Sequence, residues 1–261
     1  MRIALLQLYN EKDWAAYSIE QAVILCDKLL IMEGSNYSTF ADVPERSDDG
    51  TLDIISDKMG AYPKQIELLE SARQSAKFTH NQCENFNLAL ARCGDGDYFI
   101  PLDADEFYMD DFIVNLKQIM DKGEIDYLRS EGLQFMLSFK WTYSLHVKMV
   151  LLRKIPGLHF VPHHKPRGFG LVCDVIKGDN HHHYSWVKSK ERMKLRMRGG
   201  IYKDMPAWFD ANWDRIKLID GEKFHYIHPE PFTIKRYDGP HPSLLDSHPW
   251  RHVEDVRRIG I

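Results

Sequence analysis

The 261-residue chain has no run of about eighteen apolar residues, so no segment reads as a membrane-spanning helix. It has little cysteine. Cys26, Cys83, Cys93 and Cys173 stand far apart with no CxxC pair, which argues against a zinc ribbon or a disulfide scaffold and for reduced, partly buried thiols. It lacks a basic excess: 34 Lys plus Arg face 38 Asp plus Glu, a formal net charge of −4, so nucleic acid is not the expected partner. It has no glycine before Gly34, hence no glycine-rich phosphate loop near the N-terminus, which argues against metal-dependent nucleotidyl transfer. It has no internal repeat and no low-complexity tract. The first apolar run stops at Gln7 without a small-residue cleavage site, so it reads as a strand rather than a leader, and the expected location is cytoplasmic.

What is present is an ordinary globular composition, 44% apolar and 28% charged. Short apolar runs alternate with helical patterns through the first hundred residues. Residues 3–8 suit a buried strand, 14–26 a helix, 29–32 a second strand and 39–50 a polar loop. Residues 53–69 offer a helix and a third strand near 65–69, residues 85–93 a helix, and residues 97–102 the clearest strand. This order implies an α/β protein with a mostly parallel central sheet flanked by helices. Beyond it, residues 127–137 and 148–153 read as strands of antiparallel type or a sheet extension, and the C-terminal half is irregular, rich in His, Pro and aromatics. One domain over 1–261 is the economical reading.

The sharpest motif is Asp103-Ala104-Asp105-Glu106-Phe107, directly after the strand ending at Leu102. Ligands of open α/β sheets collect beyond the carboxyl ends of strands. Carboxylates spaced i, i+2 continue the strand's alternation and point to similar sides. They offer hard oxygen ligands to a divalent cation that would neutralise a departing diphosphate. The plain alternative for a bare DxD is a solvated acidic loop. An EF-hand is excluded, because no glycine stands at position 108.

The run Asn85-Phe86-Asn87-Leu88-Ala89-Leu90, followed by Gly96-Asp97-Tyr98-Phe99-Ile100-Pro101-Leu102-Asp103-Ala104-Asp105-Glu106, resembles the donor-site stretch of family-2 glycosyltransferases. Leu8-Tyr9-Asn10-Glu11 is similar to the end of that family's first strand, and Glu33-Gly34-Ser35 stands where the family has an Asp-rich turn. His183-Tyr184-Ser185-Trp186-Val187-Lys188 and Tyr237-Asp238-Gly239-Pro240-His241-Pro242 are similar to two later motifs. The likeness runs over about residues 1–245. It implies a GT-A-like (Rossmann-like) fold, with residues 1–107 as the nucleotide-binding half and 108–261 as the acceptor-side half.

The resemblance also implies transfer of a sugar from a UDP- or GDP-type donor to an acceptor hydroxyl of a glycan, lipid-linked glycan or protein, with inversion at the anomeric carbon. In that scheme Tyr9, Asn10 and Glu33 meet the nucleotide, and Asp103 lies near the ribose or metal. Asp105 ligates Mn2+ or Mg2+, with His183 as a third ligand. Lys188, together with Arg192, faces the diphosphate. Lys188, Lys190, Arg192, Lys194, Arg196 and Arg198 cannot all share one helical face, so most are expected in solvent. His163-His164-Lys165-Pro166 occupies a place where similar enzymes show His-Glu; Lys165 departs from that pattern and leaves the base open between His164, Asp174 and Glu131. Trp186 is the aromatic singled out for stacking on a sugar. A non-catalytic carbohydrate- or nucleotide-binding module of the same fold is the rival reading.

Overall fold

The computed structural model describes residues 1–36, 43–75, 77–162, 165–168, 170–198, 205–224 and 231–258. The chain runs β1 (Arg2–Leu8), α1 (Lys12–Leu25), β2 (Lys28–Glu33), α2 (Thr51–Ala61), β3 (Ile66–Glu70), α3 (Phe78–Leu90), β4 (Tyr98–Asp103), β5 (Glu106–Tyr108) and α4 (Asp110–Lys122). It continues through β6 (Tyr127–Met136), β7 (Trp141–Arg153), β8 (His159–Val161), β9 (Lys165–Arg167), β10 (Cys173–Ile176), β11 (His181–Trp186), α5 (Lys190–Arg198) and α6 (Met205–Asn212). The main sheet has the order β3-β2-β1-β4-β7-β6-β11-β5, with β10 also paired to β6. The first four strands are parallel. From β4 onward the pairing is mixed: β4–β7, β7–β6 and β11–β5 are antiparallel, whereas β6–β11 is parallel.

Alternation along β1 builds the N-terminal half. Ala4, Leu6 and Leu8 face α1, where they meet Ala15, Ile19 and Ala22. Ile3 and Leu5 face the other way, onto Phe86, Ala89 and Leu90 of α3. Each of these leucines is fully buried, at roughly 1.5–3 kcal/mol apiece. Both faces of the sheet are covered, which is why the strands read as continuous apolar runs.

Helix α3 begins seven residues before the expected 85–93. Its first turns look too polar for a buried helix, but Asn81 and Asn85 are buried because their side chains serve the neighbouring segment. Asn85 Oδ1 accepts from the Ala72 N–H (2.7 Å) and Asn81 Oδ1 from the Ser75 N–H (2.8 Å).

The C-terminal half packs a second, aromatic core around Trp14, Phe135, Phe139, Tyr184 and Trp213. Trp186 belongs to it, 5% exposed and stacked on Trp213 at 5.9 Å, so the structure places it inside the protein rather than on a sugar-binding surface. The motifs at 183–188 and 237–242 meet here: Tyr184 Oη and His241 Nδ1 are hydrogen-bonded at 2.7 Å. Cys26, Cys83 and Cys93 are buried free thiols and Cys173 is exposed. Among the described residues no helix is long and apolar enough to cross a membrane.

Candidate functional site

Past the ends of β1, β2 and β4 lies a cavity of about 510 Å³, walled in part by Tyr9, Asp103, Asp105, His183, Arg192 and Arg196. Gly34 shapes one edge. Its φ is +115°, and a Cβ there would meet the Glu45 carbonyl oxygen at 2.9 Å, so only glycine lets the chain after β2 turn under residues 43–50. A second cavity of about 370 Å³ shares Asp103 and His146 with the first and is lined also by Phe86, Tyr127, Arg129 and Lys165.

The two aspartates diverge. Strand β4 ends at Asp103 and β5 begins at Glu106, so a turn at residues 104–105 breaks the alternation that would have kept them together. The Asp103 side chain is 47% exposed, 4.0 Å from Lys148 Nζ. Asp105 is buried and enclosed: its Oδ2 lies 3.0 Å from Lys188 Nζ and 3.5 Å from Arg196, and its Oδ1 lies 3.3 Å from His183 Nε2. Burial pushes the Asp105 carboxyl up, but Lys188, then His183 and Arg196, outweigh it and hold the group well below the usual carboxylate range.

Lys188 is itself buried, with its Nζ 2.6 Å from Glu11 Oε2. It therefore organises Glu11 and Asp105 from behind and does not line the cavity. Arg192 holds Glu11 Oε1 at 2.9 Å and lies over the Tyr9 ring at 5.8 Å. Arg192 and Arg196, four residues apart on α5, share the face turned to the cavity, while Lys190 pairs outward with Asp214 and Lys194 is exposed.

The histidine triplet is divided by strand alternation. His182 pairs with Phe107 across β11–β5 and enters the aromatic core, where its Nδ1 lies 3.3 Å from His241 Nδ1. His181 and His183 face the opposite way. Gln134 Nε2 lies 3.3 Å from His183 Nδ1, and the ring's Nε2 faces Asp105. Opposite His183 in register stands Glu106, fully buried, in contact with Lys148 through Oε2. Its Oε1 lies 3.2 Å from His146 Nδ1 and 3.6 Å from His183 Nδ1. Burial, then His183, pushes the His146 imidazole down to about 4, so it is neutral at pH 7.

Two residues place this cluster. Gly132 on β6 is paired with His146 on β7, and a Cβ on it would stand 2.0 Å from the His181 carbonyl oxygen and 2.6 Å from the His181 ring. The missing side chain lets rings from the two flanking strands meet, with His181 Nε2 3.2 Å from His146 Nδ1. Gln21 of α1 anchors β5: its Nε2 donates to the Glu106 carbonyl (3.0 Å) and its Oε1 accepts from the Tyr108 N–H (2.6 Å).

Of the residues expected at the site, Tyr9, Asp103, Asp105 and His183 share the cavity wall. Glu33 does not: its buried carboxylate accepts from Arg46 Nε and the Ser47 N–H, each at 2.8 Å, and so holds residues 43–50 across the strand ends. Asn10 does the same work through Ser47 and Asp48. Asp174 stands exposed on β10, opposite Leu128, away from the lining of either cavity. Glu131 accepts from the Gly178 N–H at 3.2 Å. His164 lies outside the described residues.

An Mn2+ or Mg2+ ion on Asp103, Asp105 and His183 does not fit this arrangement. Asp105 already faces two fixed cations, and Asp103 turns towards Lys148. Among the described residues, the set of three such donors whose ligand atoms all lie within 4.8 Å of one another is Glu106, His146 and His181.

Sequence reasoning missed Glu11, His146, Lys148 and Glu106. The signal in β7 was its alternation, Leu145-His146-Val147-Lys148, but the polar pair is the one turned inward while Leu145 is 68% exposed.

No protein-family model matches the chain, and no curated protein matches it. Among solved structures, S. aureus TarS 1-349 in complex with UDP-GlcNAc is similar over 83% of this chain and 76% of its own, at 12% identity and a TM-score of 0.46. A longer S. aureus TarS structure is similar over 80% of this chain at 12% identity and a TM-score of 0.44, and this chain spans 41% of its length.

Proposed function

We propose that this protein transfers a sugar from a UDP- or GDP-type nucleotide sugar to an acceptor hydroxyl. The observation that carries the reading is the cavity at the carboxyl ends of β1 and β4, where an aromatic ring, a half-exposed carboxylate and two guanidinium groups converge. In this reading the base lies beside Tyr9. The diphosphate lies along Arg192 and Arg196, whose charge is fixed before the reaction and favours the departing nucleotide over the bound donor. Lys188, Glu11 and Asp105 hold those guanidiniums and His183 in place. The acceptor enters through the second cavity. Asp103, the carboxylate that lines both spaces, takes the proton of the attacking hydroxyl, which displaces the diphosphate in line and inverts the anomeric carbon.

The test is release of UDP or GDP from a panel of nucleotide sugars, with nucleotide binding measured in parallel by thermal shift. The expected result is release for one nucleotide class, reduced at least about a hundredfold in Arg196→Ala and Asp103→Asn. Binding without release from any donor would favour the non-catalytic module. Absence of both would end the reading.

A further inference from the structure

The geometry points to a divalent-cation site at Glu106, His146 and His181, one residue past the acidic motif, suited to a first-row transition metal of the zinc or cobalt class. Two imidazoles and one carboxylate form a mixed N/O donor set, which favours such ions over magnesium with its preference for oxygen alone. His146 Nδ1 lies 3.2 Å from both His181 Nε2 and Glu106 Oε1. Donors bound at about 2.0–2.1 Å around a tetrahedral ion stand about 3.3 Å apart, so His146 Nδ1 already stands at coordination spacing from each of the other two, and the ligand atoms of all three residues lie within 4.8 Å of one another.

A second observation is independent of that spacing. Glu106 is 0% exposed, and among the described residues its Oε1 accepts no hydrogen bond. Lys148 faces Oε2, and Oε1 is turned towards imidazole nitrogens alone. A buried carboxylate oxygen without a donor is costly, and a metal ion would satisfy it. The way in is open, because His146 lines both cavities. Gly132 adds a third point: its bare Cα is what permits the His146–His181 approach.

Charge leaves room for the ion once a donor arrives. Glu11, Asp103, Asp105 and Glu106 are balanced by Lys148, Lys188, Arg192 and Arg196. A diphosphate therefore meets a site with no surplus positive charge, and a divalent cation supplies it. That last point rests on the sugar-transfer reading; the site itself does not.

The experiment titrates the EDTA-treated 261-residue chain with Co2+, follows visible absorption, and measures UDP and GDP binding separately without metal. The expected result is one equivalent of Co2+ giving the intense band of a low-coordinate N/O site. The band is lost in His181→Asn, bound roughly tenfold or more weakly in Glu106→Gln, and kept in Asp105→Asn. Because His181 is buried and its replacement can cost the fold, His146→Asn on the cavity wall serves as the second variant, and the band is lost there too. No band with the wild type overturns the proposal. So does a band that survives both histidine changes, or one lost in Asp105→Asn but kept in His181→Asn. The nucleotide titration reports on sugar transfer whichever way the cobalt result falls.

Discussion

The two faces of β11 put the same residue type to opposite uses. On one face His182 joins Tyr184, His241 and His248 in a packed aromatic layer with Trp14, whose ring lies 4.3 Å from His248 and 5.1 Å from Tyr184. On the other, His183 meets the carboxylates of Asp105 and Glu106 at the edge of an open cavity, and His181 meets His146. The first face contributes stability through apolar contact and hydrogen bonds, with one carboxylate at its edge, Asp179 Oδ1, 3.0 Å from His182 Nε2. The second holds charges in fixed positions, part-buried, where they interact strongly and are costly to leave unpaired. A side chain's role here follows from the surface it is delivered to rather than from its own chemistry.

Breaking the aromatic face should have the largest effect. Trp14→Ala is expected to cost ~3–5 kcal/mol in urea unfolding while leaving nucleotide affinity of the folded fraction unchanged. A loss below about 1 kcal/mol would show that this layer does not hold the C-terminal half.

On the polar face, Lys188→Met leaves Asp105 and Glu11 without their shared ammonium and is expected to cost about 3 kcal/mol at pH 7. The folded-state carboxyl of Asp105 is held below its unfolded value, so the wild-type advantage is present above the ordinary carboxylate range and lost as pH falls through and below it. Unfolding curves of both proteins at pH 7 and pH 3 should therefore converge on acidification. A constant gap would remove the charge argument.

Acid should also weaken the aromatic face. Burial pushes His248 down to about 4 and His241 down to about 2, from an ordinary value of 6.5. The unfolded chain takes up protons between pH 6.5 and pH 4 that these folded histidines refuse, so stability falls across that window. The midpoint of thermal unfolding is expected to drop by roughly 5 °C or more from pH 7 to pH 5. His248→Phe should flatten that dependence, and an equally steep profile in the variant would refute the assignment.

The smallest effect gives the cleanest comparison of neighbours. His182→Asn is expected to lose about 1–3 kcal/mol of stability with little change in nucleotide binding, and His183→Asn to stay within about 1 kcal/mol of wild type while weakening binding. The reverse pattern would exchange the two faces.

The parallel half was legible because its strands are buried on both sides and its helices follow at regular spacing. Ile3 to Leu8 and Tyr98 to Leu102 need no tertiary knowledge to be read as strands. The strand end at Leu102–Asp103 followed from the same logic, whereas the placement of Tyr9 beside it was implied by the family resemblance. The convergence of Glu106, His146 and His181 was not legible, since those residues lie on three strands joined by no common sequence spacing. Nor was the burial of Lys188 and Glu33. A charged residue reads as exposed until its partners are known, and here Glu11 and Arg46 are remote in sequence.

The amino-acid order fixed the alternation, and with it that residues 181 and 183 share one face while 182 takes the other, because successive strand residues must point to opposite sides. It fixed Gly132 and Gly34 as the positions without a side chain. Only the packed sheet decided which face became core and which became cavity. That choice depends on what β5, β7 and α1 bring alongside β11, and those contacts are made across the fold, where no local periodicity reaches.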